Sequence, residues 1–545
     1  MREMTLNFFK NKNKKSIKDK WKEIQKETAK QPATQSQAKQ KSEPIELVLT
    51  DNIQKIKELL GNSDDIITRE IRIGKDGRIK ACVVFTDGLV DSHAAQNFIM
   101  ESLMIDLRMI DAETETFTGL NLLSYLKDMV LTVGDIQDLD DFTNLLDSLL
   151  SGKVILLFDG YSKGFTIDMK GWNQRSVEEP TTETTIRGPR EGFTENIRVN
   201  TSLIRRKIKD HNLWIETRKI GKVSKTLVSI MYIKGIADDK IVEEVRKRLN
   251  RIKIDSILET GYIEELIQDG AWTPFPTMYH SERPDAIAAD LFEGRVAILV
   301  DGTPFVMTVP IVFAQFLQSP EDYYNRADIT TLLRFLRYVG FFIALLAPSL
   351  YIAITTFHQE MLPTQLLITL AAQREGVPFP AFIEALAMEV SFEILREAGL
   401  RMPKAIGQAV SIVGTLVIGT AAVEAGFVSA AMVIVVAITA IASFIVSNYE
   451  LAIAIRMLRF PFMAIAASFG LFGIIVGLIA MVLHMCSLRS FGVPYMAPFG
   501  PFIKEDQKDA IFRFPRWAMS TRPRLFSQNN IVREDTPFPK SPQKE

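Results

Sequence analysis

Cysteine is nearly absent: Cys82 and Cys486 are the only two in 545 residues. Two thiols cannot build a disulfide framework or a four-ligand zinc site. One sits in an expected soluble strand and the other at an expected membrane-helix end, so the soluble half reads as cytosolic. Histidine is also scarce. His93, His211, His280, His358 and His484 are scattered without metal-ligand spacing, so no metal is expected. No Gly-rich phosphate loop of the Walker type, no G-x-S-x-G elbow and no HExxH occurs. Neither a catalytic constellation nor a cofactor is therefore expected. The basic run Arg205-Arg206-Lys207 has no aromatic stacking platform beside it. It reads as a solvated helix face rather than a nucleic-acid site. The basic N-terminus lacks the apolar core of a signal peptide. Charge itself is missing over long stretches after residue 338.

What is present divides the chain. Residues 1–42 are rich in Lys, Gln, Ser and Thr. They read as a disordered basic arm, either solvated or touching anionic lipid headgroups. A first α/β subdomain spans 43–172, with a helix at 45–60, strands at 66–73, 79–85 and 153–158, and helices at 91–105, 121–131 and 135–150. A polar linker and a second α/β subdomain follow over 173–290, with strands at 213–220 and 225–233 and helices at 203–209, 239–251 and 263–269. Ser151-Gly-Lys-Val-Ile-Leu-Leu-Phe-Asp-Gly160 aligns without gaps on Glu293-Gly-Arg-Val-Ala-Ile-Leu-Val-Asp-Gly302. Each is a glycine, a base, an apolar strand and a DG turn. This match, with Asp301, Pro304 and Pro310, favours a membrane-proximal β-hairpin over a span at 296–317, because a charge at the bilayer centre costs about 2.5–3.5 kcal/mol. Ser319-Pro320-Glu321-Asp322 combines a cap, a proline at the first helical position and early acids, so a helix is expected to start there and run toward the membrane.

The transmembrane domain is expected over 338–486, with uncharged runs at 338–357, 406–423, 427–447 and 460–483, about the length a bilayer requires. Gly407, Ser411 and Gly414 put small residues on one face, as close helix packing in lipid demands. Glu424 and Gly426 mark a turn between spans. The segment 379–400 is amphipathic, with Glu389, Glu393 and Glu397 stacked at i, i+4 and i+8. That acidic face lines a cation path in an oligomer or faces interfacial water. Basic residues before the first span and after the last put both termini, including a tail at 487–545, on the cytoplasmic side. The fold class is thus an α/β N-terminal soluble region of two subdomains followed by an all-α transmembrane helix bundle.

Several stretches resemble one family. They are Glu179-Pro180 through Arg187-Gly188-Pro189-Arg190-Glu191-Gly192-Phe193, continuing to Asn196 and Arg198; Asp301 to Val306 and on through Gln318 to Tyr324; the 417–426 segment; and the 493–499 segment. Together they resemble the A subunits of bacterial spore nutrient-germination receptors, the GerA family. The resemblance implies an inner-membrane subunit of the dormant spore. It implies two partners, a B subunit similar to amino-acid transporters and a C subunit that is a lipoprotein. It further implies homo-oligomerisation, contact with membrane lipid, and a cation-conducting role set off by small nutrients, with the B subunit the better candidate for nutrient binding. A sensor and scaffold that conducts nothing is the alternative.

Overall fold

The computed structural model describes residues 43–73, 79–91, 136–171, 180, 183, 185–402, 419–527, 530–534 and 536. The arm at 1–42 and the helices expected at 91–105 and 121–131 lie outside the described residues, apart from Asp91. In the first unit α1 (Leu49–Leu59) precedes the strands β1 (Ile66–Ile73) and β2 (Ile79–Thr86). β3 (Ile136–Leu139), α2 (Phe142–Leu150), β4 (Lys153–Phe158) and β5 (Gly164–Asp168) complete it. The second unit contains α3 (Ile197–Lys207), β6 (Leu213–Ile220), β7 (Thr226–Ile233), α4 (Asp239–Arg251), α5 (Thr260–Ile267), β8 (Tyr279–Ser281), α6 (Pro284–Phe292), β9 (Val296–Val300) and β10 (Val306–Val309). Strand orders are β1-β2-β4-β5-β3 and β6-β7-β9-β10-β8, antiparallel throughout.

The two sheets repeat one plan. The aligned segments occupy β4 and β9, the middle strand of each sheet. Gly152 and Gly294 take φ 82° and 93°, and Gly160 and Gly302 take φ 83° and 97°, a region that favours glycine. The aspartates repeat a task as well. Asp159 Oδ1 accepts from Leu49 N at 3.0 Å and Asp301 Oδ1 from Ile197 N at 3.1 Å. Each carboxylate satisfies an orphan amide at the start of its unit's first helix. Asn52 and Asn200 brace the same corner, each bonding the amide and carbonyl of the residue six before it.

Middle strands are buried on both faces, which is why they read as unbroken apolar runs. Ile155 and Leu157 pack with α1 and α2, whereas Val154, Leu156 and Phe158 face the other side. In the second unit Ala297 and Leu299 meet α3 and α6, and Val296, Ile298 and Val300 meet α4, α5 and part of the tail. Three expectations need correction here. The 296–317 hairpin is not a separate membrane-proximal element, since β9 and β10 are inner strands of the second sheet and extend that unit beyond residue 290. The helix expected at 135–150 is interrupted, because Ile136–Leu139 pairs with β5 and the helix starts only after Asp141 caps it. Arg205 is not on a solvated face: it is 1% exposed and makes a bidentate pair with Asp65 at 2.7 and 3.1 Å, joining the two units.

After the short α7 (Phe313–Phe316), Ser319 and Asp322 form a capping box, but only on a 3-10 turn at Pro320–Tyr323. The long helix begins afresh as α8 (Ala327–Phe357). α9 (Thr364–Glu375), α10 (Ala381–Arg401), a helical stretch at 419–424, α11 (Ala430–Ile445) and α12 (Tyr449–Ser487) follow. α8 and α12 are long and apolar enough to cross a membrane, with mean hydropathies of 1.9 and 2.5, and α11 is shorter. The span expected at 406–423, with Gly407, Ser411 and Gly414, lies almost wholly outside the described residues.

α12 is not a straight rod. Gly470 has φ 61° and ψ −144°, which is not helical. A Cβ on Gly477 would come 2.9 Å from the Phe462 ring, and one on Gly473 would come 2.8 Å from Ile465 O. A continuous helix would hold residues 462 and 477 roughly 22 Å apart. The element is therefore a helical hairpin with arms at 449–469 and 471–487. Its tip lies against Phe357 and His358, at the end of α8. The single pass expected at 460–483 is thus replaced by a fold-back, and the stretch 450–459, expected to be a connection, is the base of the first arm. Outer faces stay apolar and uncovered: Phe469 is 64% exposed, Phe472 70% and Leu483 65%.

The described part of the tail packs against the second unit. β11 (Arg489–Ser490) and β12 (Val493–Pro494) form a small hairpin. Phe491, Val493, Ala497 and Phe526 enter the core of the second unit.

Candidate functional site

The sequence singles out the acidic face of α10, and the structure gives that face a partner. Glu389 Oε2 accepts from Arg459 Nη1 at 2.5 Å, and Glu393 Oε2 from Arg456 Nη1 at 2.8 Å. Glu397 pairs with Arg401 of its own helix at 2.6 Å. The three acids are graded in depth, their side chains 1%, 26% and 60% exposed. They are not a row of unpaired carboxylates, as a bare acidic face would be. The partners of the two deeper ones sit three residues apart on the first arm of α12, so one helical face meets another.

Arg459 ties a third helix to this point. Its Nε donates to Ala344 O of α8 at 2.8 Å. Pro348 stands four residues after Ala344 inside α8, and proline has no N–H to give that carbonyl. The guanidinium supplies the missing donor. A buried arginine thus joins the acid of α10, the proline-freed carbonyl of α8 and the backbone of α12, among apolar side chains. One turn earlier on α10, Glu384 accepts from Ser429 N at 3.1 Å at the start of α11 and lies 3.4 Å from Arg374 of α9. Arg396 stacks on Phe444 of α11 at 5.1 Å.

A second group of contacts joins this bundle to the α/β half. His280 in β8 stands between two carboxylates. Its Nδ1 lies 2.7 Å from Glu450 at the base of α12, and its Nε2 lies 3.4 Å from Glu264 of α5. These three are the histidine-carboxylate group whose ligand atoms converge, within 4.8 Å, among the described residues. The carboxylates stand on opposite ring nitrogens, so the arrangement holds a proton on each nitrogen better than it holds one cation. At the other end of α12, His484 bonds Thr273 Oγ1 at 2.9 Å. Both ends of the hairpin therefore rest on the second unit. The foot of α8 is held by Arg334, fully buried, which bonds Asp322 at 2.8 Å and Asp509 of the tail at 2.7 Å.

The His280 clamp carries a pH dependence. Burial opposes the charge, but Glu450 and Glu264 outweigh it and push His280 up to about 9. The clamp's stabilisation is complete below the unfolded value near 6.5 and is lost as pH rises through 9, a total of about 3 kcal/mol. Burial pushes Glu264 up to about 7 from its ordinary 4.5. Its folded form thus prefers the proton, and this also removes stability as pH rises over that interval. Thermal unfolding of the detergent-solubilised protein should show a midpoint that falls between about pH 6.5 and 9. His280→Gln should flatten that fall, and an unchanged slope would refute the clamp.

Of the other residues singled out in the sequence, Glu424 ends the helical stretch at 419–424 and Gly426 takes φ 69° in the turn that follows. Ser429 Oγ then accepts from Met432 N at 3.3 Å and caps α11. Gly407, Ser411 and Gly414 are outside the described residues. Arg456, Arg459, His280 and Gly470 were not singled out. A pair of arginines three apart beside long apolar runs was the visible signal for the first two.

Comparison with known proteins places these elements in context. Residues 54–525 match the family model described as Bacillus/Clostridium GerA spore germination protein. The chain is 49% identical over 498 residues to Spore germination protein KA of Bacillus subtilis, covering 91% of this chain and 90% of that one. It is 40% identical over 483 residues to Spore germination protein GerLA of Bacillus cereus, covering 88% and 96%. A solved structure, the N-terminal domain of the A subunit of the Bacillus megaterium spore germinant receptor GerK3, is 40% identical. It covers 50% of this chain and 99% of its own, with a TM-score of 0.40.

Proposed function

The chain belongs to the GerA family of spore germination proteins, and from that membership we propose that it is the A-type membrane subunit of a nutrient-responsive germinant receptor whose copies assemble into the cation-conducting part. The observation that carries the reading is the Arg459 knot. Ionisable side chains inside an apolar bundle are expensive and mark ion or signal pathways. Here they pair α10 with α12 across a contact that can separate. In the resting arrangement the arginines neutralise Glu389 and Glu393. Nutrient binding in a partner favours a second arrangement in which α10 moves and its acids face a path between copies. The uncovered apolar faces of α11 and α12 suit lipid and neighbouring copies.

The tail's packing against the second unit supports an even number of crossings, with both termini on the cytoplasmic side of the spore inner membrane. A transporter-like B subunit and a lipoprotein C subunit are the expected partners. Liposomes holding the reconstituted receptor should pass monovalent cations when nutrient is added. Glu393→Gln with Glu397→Gln, at the two more exposed acids, should reduce flux and cation selectivity several-fold. Equal flux from the double variant would defeat the acidic-path reading.

The second reading, a sensor and scaffold, draws on the clasps at both ends of α12 and at the foot of α8. It expects no flux, but a nutrient-dependent change in hydrogen exchange at β8 and α5.

A further inference from the structure

A cavity of about 390 Å³ lies where three parts of the chain meet: α6, the 315–324 segment that leads into α8, and the tail. Its size falls in the range of small-molecule sites. The charges around it do not balance. Asp285 is taken by Arg283 at 2.7 Å and Tyr324 at 2.5 Å. Asp290 is taken by Arg295 at 2.5 Å, Thr308 at 2.6 Å and Gln315 at 2.8 Å. Glu293 accepts from Arg533 at 2.8 Å and Arg295 at 3.3 Å. Every acid on the wall is thereby matched to an arginine.

Two arginines are left. Among the described residues Arg522 bonds only neutral oxygens, those of Phe292 at 2.8 Å, of Val532 at 2.8 Å, and of Asn530 at 2.9 and 3.2 Å. The Arg516 side chain makes no hydrogen bond or ion pair among the described residues and lies over the Tyr323 ring at 5.5 Å. Among the described residues, two arginines of the wall thus have no carboxylate bonded to them, and the field of Glu293, which reaches both, is already taken up by Arg533 and Arg295.

It also carries polar atoms with no partner. Asp285 Oδ1 and Gln315 Oε1 are buried acceptors, and Arg295 Nε is a buried donor. Each of these side chains is more than nine-tenths buried. A buried polar atom left unpaired costs about 1–3 kcal/mol, so three on one cavity point to something that satisfies them.

We infer that this cavity binds a small organic dianion carrying at least one hydroxyl group. The two negative charges would neutralise Arg516 and Arg522, and the hydroxyl would donate to Asp285 Oδ1 or Gln315 Oε1. Ala286, Ala289 and Phe292 on the lining suit a carbon skeleton rather than a bare inorganic ion. Two sources share this chemistry, a hydroxydicarboxylate and a sugar phosphate. Occupancy would draw the tail, the segment that leads into α8 and α6 onto one molecule. The inference does not depend on whether the helices conduct.

The test is calorimetric titration of the full-length protein in nanodiscs, at fixed ionic strength, with L-malate, D-glucose 6-phosphate, succinate and inorganic phosphate. Either hydroxylated dianion should bind saturably, and succinate, which lacks the hydroxyl, should bind at least several-fold more weakly than L-malate if malate is the ligand. Arg516→Gln should weaken the binding tenfold or more. Arg516 is exposed and holds no element together, so this variant should keep its circular dichroism and melting temperature, and Arg516→Lys should recover part of the affinity. L-malate alone would identify a hydroxydicarboxylate site, and glucose 6-phosphate alone a sugar-phosphate site. The inference is overturned if neither binds, if Arg516→Gln binds as wild type does, or if inorganic phosphate binds as tightly as the hydroxylated probes.

Discussion

Arg459→Ala is expected to destabilise the helix bundle by about 3–5 kcal/mol, because it strands the buried Glu389 without a counter-charge. The loss has a second part, since Ala344 O, freed by Pro348, loses the donor that Arg459 supplies. Unfolding in detergent, followed by circular dichroism or intrinsic fluorescence, measures the effect. The informative comparison is the double variant Arg459→Met with Glu389→Met. Removing both charges together abolishes the desolvation cost as well as the attraction, so most of the stability should return. If the double variant is as unstable as the single one, the pair is not the source of the loss. If the single variant melts like wild type, the knot does not exist in the membrane protein.

Gly470→Ala should cost roughly 2–6 kcal/mol, from backbone strain and overpacking together. The backbone at φ 61° and ψ −144° lies beside a region essentially confined to glycine. A methyl group there would also sit 2.8 Å from the His358 ring carbon and 3.1 Å from Phe357 Cβ. The expected outcome is a hairpin that cannot close. Cysteines placed at 462 and 477 should crosslink in the wild-type background and fail to do so with Gly470→Ala. Equal crosslinking in both would show that the tip tolerates a side chain. Gly492 is a useful control, since it takes φ 87° with open space around it, so alanine there meets strain without a clash.

Much of the α/β half was legible because its signals are local. Alternation of period two marked β1 and β2, an unbroken apolar run marked β4, and the helix expected at 239–251 is α4 itself. The gapless match between 151–160 and 293–302 located the middle strand of each sheet, since a buried strand ending in a DG turn needs the same residues wherever it recurs. The hairpin of α12 was not legible. Gly470 is one of three glycines in a run of nearly uniform hydropathy, and nothing in composition separates the one at the fold-back from Gly473 and Gly477, which let the arms approach. The acidic face of α10 was visible, but its neutralisation was not, because Glu389 and Arg459 are 70 residues apart and only the bundle brings them together. His280 was passed over for the same reason. Its two carboxylates come from α5 and α12, and no spacing in the chain links them.

The fold-back at Gly470 makes the molecule lopsided. The foot of α8, both ends of α12 and the described part of the tail gather on the α/β side. Among the described residues, the opposite face receives the end of α8, α9 with the short segments on either side of it, the neighbourhood of Gly426, and the hairpin tip. Of the described residues, a protease or an impermeant label arriving from that face would find α9 and short turns. The cavity beside α6 lies on the side where the mass of the described residues gathers, so a small molecule arriving from the far face would reach it only by crossing over.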